Sequence, residues 1–114
     1  MAFNAALEMT KNGIAKITLS GELDASVAAD FKSEVEKAAG QKAKRLVLLM
    51  QDLEYMASAG LRALVFARQK MGTGVDIYVV GAQESVIETI EMTGFHHSVI
   101  ILDTYNEAEI ENVR

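Results

Sequence analysis

The residues in this 114-residue chain that could do chemistry are few and widely spaced. Ser58 stands in the run Ala57, Ser58, Ala59, Gly60, four small residues carrying a single hydroxyl. His96 and His97 are the only histidines, Asp24 sits in GELDAS, and Asp103 lies downstream of the histidines. A serine hydroxyl in such a place has three uses. It can cap a helix, attack a substrate once a neighbouring base takes its proton, or receive a phosphoryl group from another enzyme.

Nucleophilic attack fits poorly. A serine lifted above a sheet on a sharp strand-to-helix elbow needs G-x-S-x-G, and here Met56 occupies the first glycine position. The chain order of Ser58, then His96 or His97, then Asp103 also departs from the serine, acid, histidine order of that fold. Capping by Ser58 accounts for its hydroxyl, at about 1 kcal/mol, but a cap needs no small neighbours. Small flanks do suit a hydroxyl that a second protein's active site must approach.

Stepping outward, the elements that must hold Ser58 follow from hydrophobic period. Leu7 and Met9 alternate with Glu8 and Thr10, and Ala15, Ile17 and Leu19 alternate with Lys16, Thr18 and Ser20. Two strands result, joined into an antiparallel hairpin by Asn12 and Gly13, both tolerant of positive backbone angles. Val27, Ala28, Phe31, Val35 and Ala38 recur at helical spacing from Ala25 to Ala39, with Gly40 as the stop. The run Leu46 to Met50 is apolar on both faces, as a central strand is. After the small-residue turn, Leu61, Leu64, Val65 and Met71 form a second stripe, expected to lie in the core, that ends at Gly72 and Gly74. Val75 to Val80 reads as a strand, Val86, Ile87 and Ile90 as a short helix closed near Gly94, Val99 to Leu102 as a last strand, and Glu107 to Val113 as a terminal helix. The expected fold is therefore α/β: one domain over residues 1–114, a mixed β-sheet opened by an N-terminal hairpin, with alternating helices packed on it through right-handed crossovers.

Composition narrows the function. A net charge of −5 repels nucleic acid, and Lys42, Lys44 and Arg45, the one basic cluster, read as a solvated helix-to-strand connection. The longest apolar run is far short of the roughly twenty residues that cross a bilayer, so no membrane insertion is expected. The opening MAFNAALEMTKNG lacks a basic segment followed by an apolar core, which makes a cytoplasmic chain the expectation. Without cysteine there is no thiolate chemistry and no cysteine metal site. His96 and His97, placed on an extended segment, would point apart rather than converge on an ion, so neither a metal nor any other cofactor is expected.

DLEYMASAGLRAL, with GELDAS before it and MTGFHHSVIILDTYNEAEI after it, resembles the STAS-domain anti-sigma factor antagonist family along essentially the whole chain. The shared pieces are an apolar strand entering a small Ser-containing turn ahead of a helix, a Gly-x-Leu-Asp turn, and a C-terminal Thr-Gly, strand and helix. The resemblance implies a STAS domain that is not an enzyme and has no catalytic residue of its own. It implies that Ser58 is phosphorylated by a serine kinase that doubles as an anti-sigma factor, that a serine phosphatase resets it, and that Asp24 belongs to the same recognition surface, whether or not it also caps the helix expected at Ala25. Arg62 and Gln69, on the exposed side of the helix that follows Ser58, are expected at the rim of that surface. Ala57 stands where the common signature has aspartate. That substitution keeps open an adaptor subunit of a larger complex, such as a lipid-transport assembly, in which Ser58 is never modified; a serine hydrolase is the remaining alternative.

Overall fold

Thr10 to Gly13 reverse the chain, and the strands on either side pair antiparallel from Met9 with Ala15 to Asn4 with Ser20. In the computed structural model, which describes residues 2–111, β1 (Asn4–Met9) and β2 (Ile14–Leu23) form this hairpin. Only Gly13 takes a positive φ, of 80°; Asn12 does not need one, because the loop is four residues long and closes through Thr10, whose carbonyl accepts from the Gly13 amide at 3.1 Å. β2 is longer than alternation alone suggested. Register shifts after Thr18 and Gly21, with Gly21 at φ 84°, let the strand bend and run on to Leu23.

The remaining elements are α1 (Ala28–Gly40), β3 (Arg45–Met56), α2 (Ser58–Met71), β4 (Asp76–Val80), α3 (Glu84–Met92), a 3₁₀ turn (Phe95–Ser98), β5 (Ile100–Leu102) and α4 (Glu107–Ile110). They make a five-stranded sheet in the order β1-β2-β3-β4-β5, antiparallel at the hairpin and parallel thereafter. Val75 and Val99 fall just outside their strands. The terminal helix, expected from Glu107 to Val113, is seen over Glu107–Ile110 and stops at Glu111, which holds its C-terminal capping position; residues 112 and 113 lie outside the described residues.

Side-chain alternation sorts the sheet into two faces. Ala15, Ile17 and Leu19 on β2, Leu46, Leu48 and Met50 on β3, and Ile77 and Val79 on β4 pack with Phe31 and Val35 of α1, Leu64 of α2 and Val86 and Ile90 of α3. The opposite face gathers Ile14, Val47, Tyr78 and Val80 beneath Ile110 of α4. Arg45 holds that short helix down, its guanidinium donating to the carbonyls of Glu109 and Ile110 at the helix end. The neighbouring lysines of the basic cluster, Lys42 and Lys44, are exposed in the α1-to-β3 connection.

Candidate functional site: the Ser58 turn and the outer face of α2

β3 outruns β4. Its pairing with β4 stops at Leu49, while its pairing with β2 continues until Met56 meets Leu23. The carboxyl ends of two neighbouring parallel strands therefore finish side by side, and the turn after each one opens at the same pole. The Ala57 amide donates to the Leu23 carbonyl at 2.9 Å, which fixes the start of α2 against the Asp24 turn.

Ser58 does not cap α2. It is the first helical residue, and Ala57, with φ −82° and ψ 173°, holds the capping position without a side chain that can accept. Ser58 is exposed, and its hydroxyl has no hydrogen-bond partner among the described residues. Asp24 likewise does not cap α1, which begins at Ala28 with Val27 at its capping position rather than near Ala25. Instead Asp24 Oδ1 accepts from the Ser26 hydroxyl at 2.6 Å and the Ser26 amide at 2.9 Å, closing a turn from Asp24 to Val27. The Ser26 hydroxyl, then its amide, hold the Asp24 carboxyl below its ordinary value of 3.8.

The small neighbours of Ser58 have different reasons. Gly60 is buried, and a Cβ there would lie 2.8 Å from Leu23 Cγ, 2.9 Å from the Leu23 carbonyl oxygen and 2.9 Å from Met56 Cγ. Its smallness serves contact inside the fold, where approach from outside was expected. Gly60 and the buried Ala63, Leu64 and Ala67 make the inner face of α2. That displaces the stripe read from the sequence: Leu64 is core, Leu61 and Met71 are partly buried, and Val65 is 39% exposed. A helix seated closely on its neighbours buries alanine and glycine, so its largest apolar residues need not mark the inward side.

Ser58, Arg62, Val65 and Gln69 are all exposed, and at about 100° per residue they fall within roughly 60° of arc on the outer face of α2. Arg62 has no ion-pair partner among the described residues. Val65 is the member that sequence reasoning missed, although steps of four, three and four from Ser58 pass through it.

The histidines are not extended. The left-handed Gly94, at φ 78°, turns the chain into the 3₁₀ segment, where the His96 and His97 rings lie 4.0 Å apart and tilted by 38°. His96 Nδ1 is buried without a hydrogen-bond partner, and neither ring bonds the Ser58 hydroxyl among the described residues. No group of three metal-ligating side chains occurs among those residues.

A five-stranded mixed sheet with an exposed serine at the turn from β3 to α2, beside the aspartate turn that follows β2, defines a single-sheet α/β domain. The STAS domain family model matches residues 8–108, and this chain belongs to the STAS domain family. It is 25% identical over 97 residues to the anti-sigma-F factor antagonist RsfB of Mycobacterium tuberculosis, an alignment spanning 85% of this chain and 80% of the relative. In three dimensions it resembles an anti-sigma factor antagonist from Mycobacterium paratuberculosis, with TM-score 0.84, 21% identity and coverage of 94% of this chain and 91% of that one. It also resembles the Bacillus cell fate determinant SpoIIAA in its phosphorylated form, with TM-score 0.72, 19% identity and coverage of 97% and 100%. Among the described residues no helix is long and apolar enough to cross a membrane.

Proposed function

We propose that this chain is an anti-sigma factor antagonist that works by partner switching in the cytoplasm, as a regulator without catalysis of its own. Unmodified, it binds an inhibitor that is both anti-sigma factor and serine kinase, and so frees the inhibitor's other client. The kinase then transfers the γ-phosphoryl group of its ATP to Ser58 Oγ: the O–P bond forms, the β–γ anhydride breaks, ADP departs, and the hydroxyl proton passes to a base on the kinase or to water. A serine phosphatase restores the hydroxyl by hydrolysis.

The observation that carries this reading is the exposed, unbonded Ser58 hydroxyl at the first position of α2, beside the Asp24 turn. Phosphate adds about −1.5 to −2 charges there. On the free protein those charges meet the positive end of a 14-residue helix and water, so the fold tolerates them. Under a docked partner they are desolvated, and a cost of about 4 kcal/mol turns a micromolar complex into a millimolar one. Names of the relatives support the same role, as does the existence of a phosphorylated form of SpoIIAA.

The test is to recover the protein from its host for intact-mass measurement and to compare partners captured by wild type, Ser58→Ala and Ser58→Glu. A phosphate on Ser58, with a kinase-like partner kept by Ser58→Ala and lost by Ser58→Glu, is expected. Identical capture by all three, with no phosphate found, overturns the switch. Ala57 favours a second reading, an adaptor subunit whose serine is never modified, and that outcome is the one it requires.

A further inference from the structure

Asn12 is the one asparagine of this chain that a glycine follows, and it lies in the loop of the β1–β2 hairpin, at the opposite end of the parallel strands from Ser58. Its side chain is exposed and makes no hydrogen bond among the described residues. Asn106, by contrast, is held as the cap of α4, its side-chain oxygen accepting from the Glu109 amide at 3.1 Å, and Asn4 precedes Ala5 within β1. Asn12 also borders a groove of about 380 Å³ whose described lining includes Lys11, Lys42 and Lys44 and no carboxylate. None of these lysines has an ion-pair partner among the described residues. The stem of Lys44 runs beside Gly13, its Cγ and Cδ 3.5 Å from the place a Cβ would take, and the Lys44 amide donates to the Gly13 carbonyl at 2.8 Å. In a chain of net charge −5, the Asn12–Gly13 bond is therefore set in a local positive field.

We propose that Asn12 is a site of spontaneous deamidation in the native protein, promoted by the lysines that surround it. Hydroxide removes the proton of the Gly13 amide, and the nitrogen attacks the side-chain carbonyl carbon of Asn12. The N–Cγ bond forms, the Cγ–Nδ2 bond breaks, and Nδ2 takes a proton from water and leaves as ammonia, so that a cyclic imide remains. Water then opens the imide. Cleavage at Cγ gives aspartate on an unchanged backbone; cleavage at the main-chain carbonyl routes the chain through the side chain as isoaspartate. Glycine favours the first step because no Cβ obstructs its nitrogen. The hydrogen bond that engages this amide, to the Thr10 carbonyl at 3.1 Å, closes an exposed loop, where local opening costs far less than unfolding the domain. Nearby ammonium groups favour the amide anion that begins the reaction and the carboxylate that ends it, by the attraction that lowers the pKa of any acid beside a cation. Each event adds one negative charge, and the isoaspartyl form lengthens the backbone inside a loop that sets the pairing of β1 with β2. Nothing in this chemistry involves Ser58, so it stands or falls apart from the partner switch.

The test is to age the full chain in neutral and mildly alkaline buffer at low salt, and to follow ammonia release, peptide mass maps and labelling by an isoaspartate methyltransferase. Conversion is expected at Asn12, with Asn4 and Asn106 intact, and its rate should rise about tenfold per pH unit as the deprotonated amide does. Asn12→Gln should abolish it. The double variant Lys11→Gln, Lys42→Gly should slow it about two- to fivefold at low salt, and added salt should bring the wild type down to the variant's rate. Lys42→Gly is chosen because Lys42 holds φ 57°, a left-handed conformation that glycine adopts at no steric cost, so the variant keeps its fold. Asn12→Asp carries the aspartate product alone and should melt as the unaged protein does, whereas the aged isoaspartyl fraction should melt lower and show shifted Thr10, Gly13 and Lys44 amides. An Asn12 that stays intact while a capped peptide spanning Thr10 to Ile14 converts overturns the proposal. So does a rate indifferent to the lysines and to salt, or one that appears only as urea unfolds the domain.

Discussion

Gly60 packs directly over the backbone carbonyl of Leu23, so closely that a single added carbon would sit 2.9 Å from that oxygen. The same carbonyl accepts the Ala57 amide, so the end of β2 is gripped by both residues that flank the Ser58 and Ala59 pair. The Ser58 hydroxyl is thereby set on a rigid base.

Gly60→Ala should destabilise the domain by about 1–3 kcal/mol, because the new methyl meets backbone as well as the Leu23 and Met56 side chains and cannot be relieved by a rotamer change. Urea titration of the two proteins checks this. Wild-type stability in the variant would mean that Gly60 is small for access and not for packing.

Ala57→Asp should stabilise by about 1 kcal/mol, since it supplies the acceptor that the start of α2 lacks. A capping carboxylate has its folded pKa depressed below the unfolded value of about 3.9. Its contribution is therefore present above roughly pH 4 and lost as pH falls through the folded value. Thermal melts at neutral and acid pH should show a gain in the first condition that shrinks in the second.

Ser58→Glu should leave the free protein as stable as wild type or raise it by about 0.3–1 kcal/mol, because a negative charge in the first turn complements the helix dipole. Differential scanning calorimetry at low salt is the measurement. A marked loss of stability would make any loss of partner binding a folding defect rather than a switch.

Ser26→Ala should raise the Asp24 pKa toward 3.8, because it removes the hydroxyl that contributes most to lowering it. The depressed carboxyl contributes stability above its unfolded pKa that fades as acid protonates it, and the variant should lose that part of the acid dependence. Carbon-detected NMR titration of the Asp24 carboxyl follows both proteins, and an unchanged value would remove Ser26 as the cause.

Much of this architecture was legible from period alone. Strict alternation on β2 and the doubly apolar Leu46 to Met50 fix two strands and their burial, and glycine marks most of the breaks. The overrun of β3 past Met50 was not legible, because Gln51, Asp52, Glu54 and Tyr55 are exposed and held as strand by pairing with β2, a tertiary fact. The outward Val65 was hidden for a related reason: the inner face of α2 is built from Gly60, Ala63 and Ala67, whose small side chains barely register as apolar. Ser58, Arg62 and Gln69 lie together on the exposed stripe as expected, and Asp24 lies on the adjoining turn, but neither Ser58 nor Asp24 caps its helix.

The four-residue α4 is a small stopper for the rear of the sheet, resting on Ile110 and on the Arg45 clasp at its end. A plug this short has few bonds to break and should be the first part to lift on warming, baring Ile14, Val47, Tyr78 and Val80 while the Ser58 pole is still native. Heat-induced clumping should accordingly begin from the back of the molecule, and a tighter seal there would lengthen its working life without touching the Ser58 pole.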